Sequence, residues 1–150
     1  MSDVIEHLYD VDLKWKEGRI GELNSYKLKN SIEVATPPEF PGGIEGIWSP
    51  EHLFIASVSS CFLTTFTAIA EYSKLKYEEL TVPATGTMSN ESGKFAMTEI
   101  ILRPKLSIMD EGQKDKALRI LHKAEEACLI TRSIKTEIKL EPKILVAVGG

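Results

Sequence analysis

The chain has 150 residues, 43% hydrophobic and 27% charged, with a net charge of −4 and a pI near 5.5. That length allows one domain, residues 1–150, with a core of its own, and the mild acidity excludes nucleic acid or an anionic membrane as an expected partner. Two cysteines and three histidines (His7, His52, His122) at no ligand spacing give no metal site, and the N-terminus carries no export signal, so the cytoplasm and reduced thiols are expected.

Residues 1 to 6 read as a loose terminus. From His7 to Lys16 apolar Tyr9, Val11, Leu13 and Trp15 alternate with Asp10, Asp12, Lys14 and Lys16, the pattern of a half-buried strand. Glu17-Gly18 reads as a hairpin turn, Ile20–Ser25 as its second arm and Ile32–Ala35 as a third strand. Thr36–Ile47 holds Pro37, Pro38, Pro41, Gly42, Gly43 and Gly46, the composition of an ordered loop rather than a domain linker. It delivers the chain to Ser49, an N-cap residue, with Pro50 at the first helical position and Glu51 in the first turn, where the helix dipole favours a negative charge. The helix that follows carries 18 uncharged residues, Leu53 to Ala70, apolar on every side. Six of those residues are Ser or Thr and no convincing belt flanks the segment, so a core helix is expected, not a membrane span.

Beyond it, Thr81–Asn90 and Lys94–Ser107 read as strands about an Glu91-Ser92-Gly93 turn. Asp110 with Gln113 forms a capping box. The second helix runs to about Cys128 with Ala117, Ile120, Leu121, Ala124, Ala127 and Cys128 on one stripe, and Ser133–Glu141 alternates as a strand. The order predicts an α+β fold: a mainly antiparallel sheet, a long buried central helix and a second, amphipathic helix. One sheet and one amphipathic helix cannot cover a helix apolar all round, and a partner chain packing at the centre resolves this.

Cys61 in the long helix and Cys128 both fall on core-facing positions. Packing as small hydrophobes is the plain reading of each; reaction across the core is the other. Ser57, Ser60, Thr64 and Thr65 surround Cys61, and their hydroxyls either bond a thiolate or bond back to the helix. No lysine or arginine lies within ten positions of Cys61, so a cation that lowers its pKa must come from elsewhere. Of Arg19, Arg103, Arg119 and Arg132, Arg119 lies on the wet face of its helix and Arg103 deep in the strand pair. Arg19 at the hairpin turn is able to reach a site or to stay solvated.

The stretch Trp48-Ser-Pro-Glu-His-Leu-Phe-Ile-Ala-Ser-Val-Ser-Ser-Cys61 resembles the S-P-E-x-L-L-x-A-x-x-x-x-C motif of the OsmC/Ohr family, osmotically inducible proteins and organic hydroperoxide reductases. Thr36-Pro-Pro-Glu-Phe resembles the turn before that helix. Cys128, 67 residues after Cys61, falls where the family has its second cysteine. The resemblance implies an intertwined homodimer and a catalytic set of Cys61, Cys128, Arg19 and Glu51. It implies a thiol peroxidase that reduces organic hydroperoxides through a Cys61 sulfenic acid and a Cys61–Cys128 disulfide. It implies no bound cofactor, and an external dithiol of the lipoyl type, free or on a lipoylated protein, as reductant. The alternative is an OsmC-like dimer that binds a small apolar molecule or a thiol and reduces no peroxide. Glu51 and Cys61 are ten residues apart on one helix, about 15 Å along its axis, so Glu51 is expected to serve a thiolate other than its own chain's.

Overall fold

The computed structural model describes residues 3–147; residues 1 and 2 of the expected loose terminus lie outside it. Chain contacts divide into two compact units, Met1–Leu53 and Phe54–Gly150.

The first unit is an antiparallel meander of β1 (Asp12–Glu17), β2 (Ile20–Asn24) and β3 (Ile32–Ala35). The predicted strand from His7 begins only at Asp12. It is also exposed along its whole length, with Leu13 66% and Trp15 71% accessible, rather than half-buried. Alternation identified the strand; among the described residues its apolar side chains stay exposed. Lys16 ties the meander together through Glu22 at 3.6 Å and Glu33 at 3.2 Å. The turn is Gly18-Arg19, one residue later than predicted, with Gly18 at φ +51°. A bulge shifts the register between Trp15 and Glu17.

The Pro/Gly loop then fixes the start of the long helix. Gly43 packs so tightly on the Pro37 carbonyl that a Cβ there would overlap it. Val34 bridges Trp48, and the Ala35 amide donates to the Trp48 carbonyl at 2.9 Å. Ser49 is thereby buried, and its Oγ accepts the His52 amide at 3.1 Å while lying 2.6 Å from His52 Nδ1. The predicted N-cap is thus formed. Helix α1 (Pro50–Tyr72) runs unbroken from there. It stops in a Schellman turn: Lys74 takes φ +58°, and Leu75, buried, donates to the Ala70 carbonyl at 2.9 Å.

In the second unit, Val58, Phe62, Phe66 and Ala70 of α1 enter a core completed by two sheets and a second helix. By length and composition α1 could cross a membrane, yet this face is packed in protein. Gly86 permits the approach, since a Cβ there would collide with Ile55 and Met97. Strands β5 (Ala84–Ser89), β6 (Ala96–Leu102) and β8 (Glu137–Leu140) form one sheet in the order β5-β6-β8. Strands β4 (Glu79–Thr81), β7 (Lys105–Ile108) and β9 (Lys143–Val146) form the other, in the order β4-β7-β9. The pairs β4–β7 and β5–β6 are antiparallel; β6–β8 and β7–β9 are parallel.

Two predicted strands are therefore each split. Thr81–Asn90 breaks at Pro83, Lys94–Ser107 breaks at Pro104, and past Pro142 lies β9, a strand the sequence reading did not place. Proline has no N–H to give a ladder, so pairing stops at each. The bonds Arg103 N–H to Pro83 O (2.8 Å), Glu141 N–H to Leu102 O (2.8 Å) and Lys143 N–H to Pro104 O (2.9 Å) carry the sheets past the breaks. Arg103, expected deep in a strand pair, stands at this corner, partly exposed, 3.3 Å from Glu141 and 2.9 Å from Thr85.

Asp110 caps a 3₁₀ turn (Glu111–Gln113) by accepting the Gly112 amide at 2.9 Å, and α2 (Lys114–Glu126) follows. Ala117, Ile120, Leu121 and Ala124 are buried as predicted, and Arg119 is exposed. Ala127 is exposed because the helix has ended. The long helix, second helix and mostly antiparallel pairing make this the expected α+β fold.

Candidate active site

The second unit brings Cys61 and Cys128 together. Cys61 lies half-buried on α1, one position before Phe62; Cys128 is 2% exposed. Cys128 was expected inside the end of the second helix. It instead adopts an extended conformation (φ −66°, ψ 119°) and starts a further short helix, α3 (Leu129–Arg132). This break turns the following amides back toward α1.

Burial opposes charge on Cys61, but four donors outweigh it: the Cys128 thiol, the Ile130 amide, the Thr65 hydroxyl and the Leu129 amide. Its pKa is lowered below that of an ordinary thiol. Cys128 moves the opposite way. Burial and the hydrogen bond it gives to Cys61 raise its pKa, against a smaller pull from the Thr131 hydroxyl and amide. The pair is thus asymmetric: Cys61 is the more acidic thiol, and Cys128 holds its proton more tightly.

The stabilisation that sequence reasoning sought in a cation comes, within this unit, from neutral donors. Among the hydroxyls near Cys61, those of Ser57, Ser60 and Thr64 bond helix carbonyls at 2.6, 3.3 and 3.1 Å. Thr65 Oγ1 alone turns to the sulfur, at 3.9 Å. The Leu129 and Ile130 amides were missed because the signal is a helix break with no glycine or proline to mark it. Their apolar side chains are 68% and 36% exposed.

Arg19 and Glu51 belong to the first unit. The Arg19 side chain lies over the Pro/Gly loop, where a Cβ on Gly42 (φ +82°) would stand 3.0 Å from its Nε. Glu51 has a buried Oε2 with no hydrogen-bond partner. Among the described residues of one chain the two are not ion-paired.

Comparison with known proteins places the chain in a family. The family model described as "OsmC-like protein" matches residues 43–143, a span containing Glu51 and both cysteines. The chain is 30% identical over 150 residues to the uncharacterized protein YmaD of Bacillus subtilis (strain 168), covering 97% of this chain and 98% of that one. Among solved structures, an OsmC-like protein of unknown function from Vibrio cholerae is 25% identical with a TM-score of 0.81, covering 91% of this chain and 99% of its own. An organic hydroperoxide resistance protein from Elizabethkingia anophelis shares the fold at 24% identity and a TM-score of 0.72, covering 95% and 100%. The chain is therefore a member of the OsmC/Ohr family of OsmC-like proteins.

Proposed function

We propose that this member is a thiol peroxidase acting on organic hydroperoxides in the cytoplasm. The observation that carries the reading is the asymmetric cysteine pair, one thiol acidified by the other. The Cys61 thiolate attacks the distal oxygen of the hydroperoxide, the O–O bond breaks, and the alkoxide takes a proton and leaves as an alcohol. Cys128 then displaces hydroxide from the Cys61 sulfenic acid and forms the disulfide. A dithiol of the lipoyl type, free or on a lipoylated protein, restores both thiols by exchange. The exposed apolar side chains of Leu129 and Ile130, whose amides act on Cys61, suit an alkyl hydroperoxide better than hydrogen peroxide. No resident cofactor takes part.

Arg19 stabilises the thiolate and the leaving oxyanion, and Glu51 holds Arg19 through a charge-assisted hydrogen bond. A homodimer supplies this contact. The exposed apolar Leu13 and Trp15 of β1 and the buried, unpartnered Oε2 of Glu51 both favour a second copy. Mixing inactive Cys61→Ser chains with inactive Glu51→Ala chains is expected to restore activity at one site per heterodimer. No recovery after verified subunit exchange would show that the site is not shared.

The direct test is titration of free thiols with cumene hydroperoxide. One equivalent should remove both thiols of each chain, and dihydrolipoamide should sustain turnover. Retention of both thiols, with ligand affinity intact in Cys61→Ser, would favour the binding dimer.

A further inference from the structure

We propose that the Thr131 hydroxyl serves the second cysteine: it is the group that receives the Cys128 thiolate during disulfide formation. This rests on the peroxidase reading only for its timing in the cycle. The hydroxyl's effect on Cys128 is separable from that reading.

Thr131 stands three residues after Cys128, which begins α3 in an extended conformation. This is the relation of an N-cap residue to N3, in which an N-cap side-chain oxygen accepts the N3 amide. Here a sulfur takes the place of the oxygen, and as a thiol it forms no cap bond. The Thr131 Oγ1 is buried and completes no hydrogen bond in the reduced site, although it lies near enough to Cys128 to favour a charge there. A buried hydroxyl left idle is costly, and few are tolerated. Its own amide and this hydroxyl are the two groups of α3 that favour a charge on Cys128; the ionisable group acting on Cys128 is Cys61, from α1.

The chemistry gives the idle hydroxyl a task. In the reduced site the proton of Cys128 is committed to the Cys61 thiolate. Once an alkyl hydroperoxide has converted Cys61 to the sulfenic acid, that acceptor is gone and Cys128 must itself lose its proton. The resulting thiolate attacks the Cys61 sulfur, the S–S bond forms, and the S–O bond breaks. The electron pair leaves with hydroxide, which takes up a proton as water. Through that step the negative charge on Cys128 is buried, and the Thr131 hydroxyl, whose pull on Cys128 is already felt in the reduced site, turns to donate to it. Cys61 therefore draws on the amides of Leu129 and Ile130, and Cys128 on Thr131. One turn of chain stabilises the two thiolates in succession.

The test isolates Cys128 in a Cys61→Ala background, where its titration is followed by thiolate absorbance in the ultraviolet. Adding Thr131→Val should move the midpoint up by about one pH unit, the loss of one hydrogen bond to a charged acceptor. Thr131→Ser should leave it in place. Thr131→Ala reports the same loss as valine should the branched side chain disturb the fold. In the chain with both cysteines, Thr131→Val should lengthen the life of the sulfenic acid about tenfold after one equivalent of cumene hydroperoxide, read by dimedone trapping. An unmoved midpoint in the valine and alanine variants overturns the proposal, as does an equal upward shift in Thr131→Ser. If the unsubstituted chain formed no sulfenic acid, the peroxidase reading would fall while the titration still decided the role of Thr131.

Discussion

Cys61→Ser is expected to lower organic hydroperoxide consumption by on the order of 10³-fold or more, the scale seen when a nucleophile is removed. Cys128→Ser is expected to consume one equivalent per chain and then stop. The two outcomes differ because the two sulfurs have different surroundings. Cys61 is half-buried with its pKa lowered by neighbouring donors; Cys128 is 2% exposed with its pKa raised by burial and by Cys61. Attack on a diffusing substrate suits the first position, and attack on a neighbouring sulfenic acid suits the second. A serine at position 128 still donates to Cys61, so the first step survives, while no sulfur remains to close a disulfide. Rapid-mixing peroxide assays, with mass spectrometry of the trapped product, should find a sulfenic acid on Cys61 in Cys128→Ser. Loss of even the single-turnover burst in that variant would exchange the two roles.

Cys128→Ala is expected to do something Cys128→Ser does not: shift the pH dependence of the burst. The Cys61 pKa is depressed, so the rate of the burst should rise with pH through a midpoint below that of an ordinary thiol. Removing the Cys128 donor takes away the largest of the lowering influences, leaving burial to act against fewer bonds. The midpoint must move up. A hydrogen bond to a charged group is worth about 1.5–3 kcal/mol, and one pKa unit is about 1.4, so an upward move of about one unit or more is expected. Below that midpoint the burst should slow about tenfold. Stopped-flow measurement across the neutral range reads both quantities. A midpoint unchanged in Cys128→Ala would mean that the donor between the sulfurs has no part in activating Cys61.

Much of this was legible in the residues. The Ser49 cap, the start of α1 and the inward stripe of α2 from Ala117 to Ala124 follow from local chemistry that packing reinforces, and each formed where the sequence put it. The two cysteines were expected to face one core, and they meet. The strand ends were less legible, because an alternating pattern reports which side faces inward and is silent about ladder pairing; Pro83 and Pro104 were the only marks of the breaks. The donors to Cys61 were not legible at all. They are backbone amides, which every residue carries, and only the unmarked break after Ala127 aims them. The exposed face of β1 exceeded what a pattern can say, since alternation identifies an apolar side without revealing what covers it.

The proline corner carries one more lesson, about parity. Ile100, Leu102, Pro104, Leu106 and Ile108 are all buried, so the inward count by twos continues through the break although the ladder does not. Ile138, Leu140, Pro142, Ile144 and Val146 keep the same count, each less exposed than its neighbours. The corner thus spends no residue: the chain changes sheet without changing phase. One added residue at such a corner would turn every later side chain of that strand to the opposite face, whereas two would restore the phase. Length variation here is constrained to even numbers, a rule written in the spacing of the core rather than in any single residue.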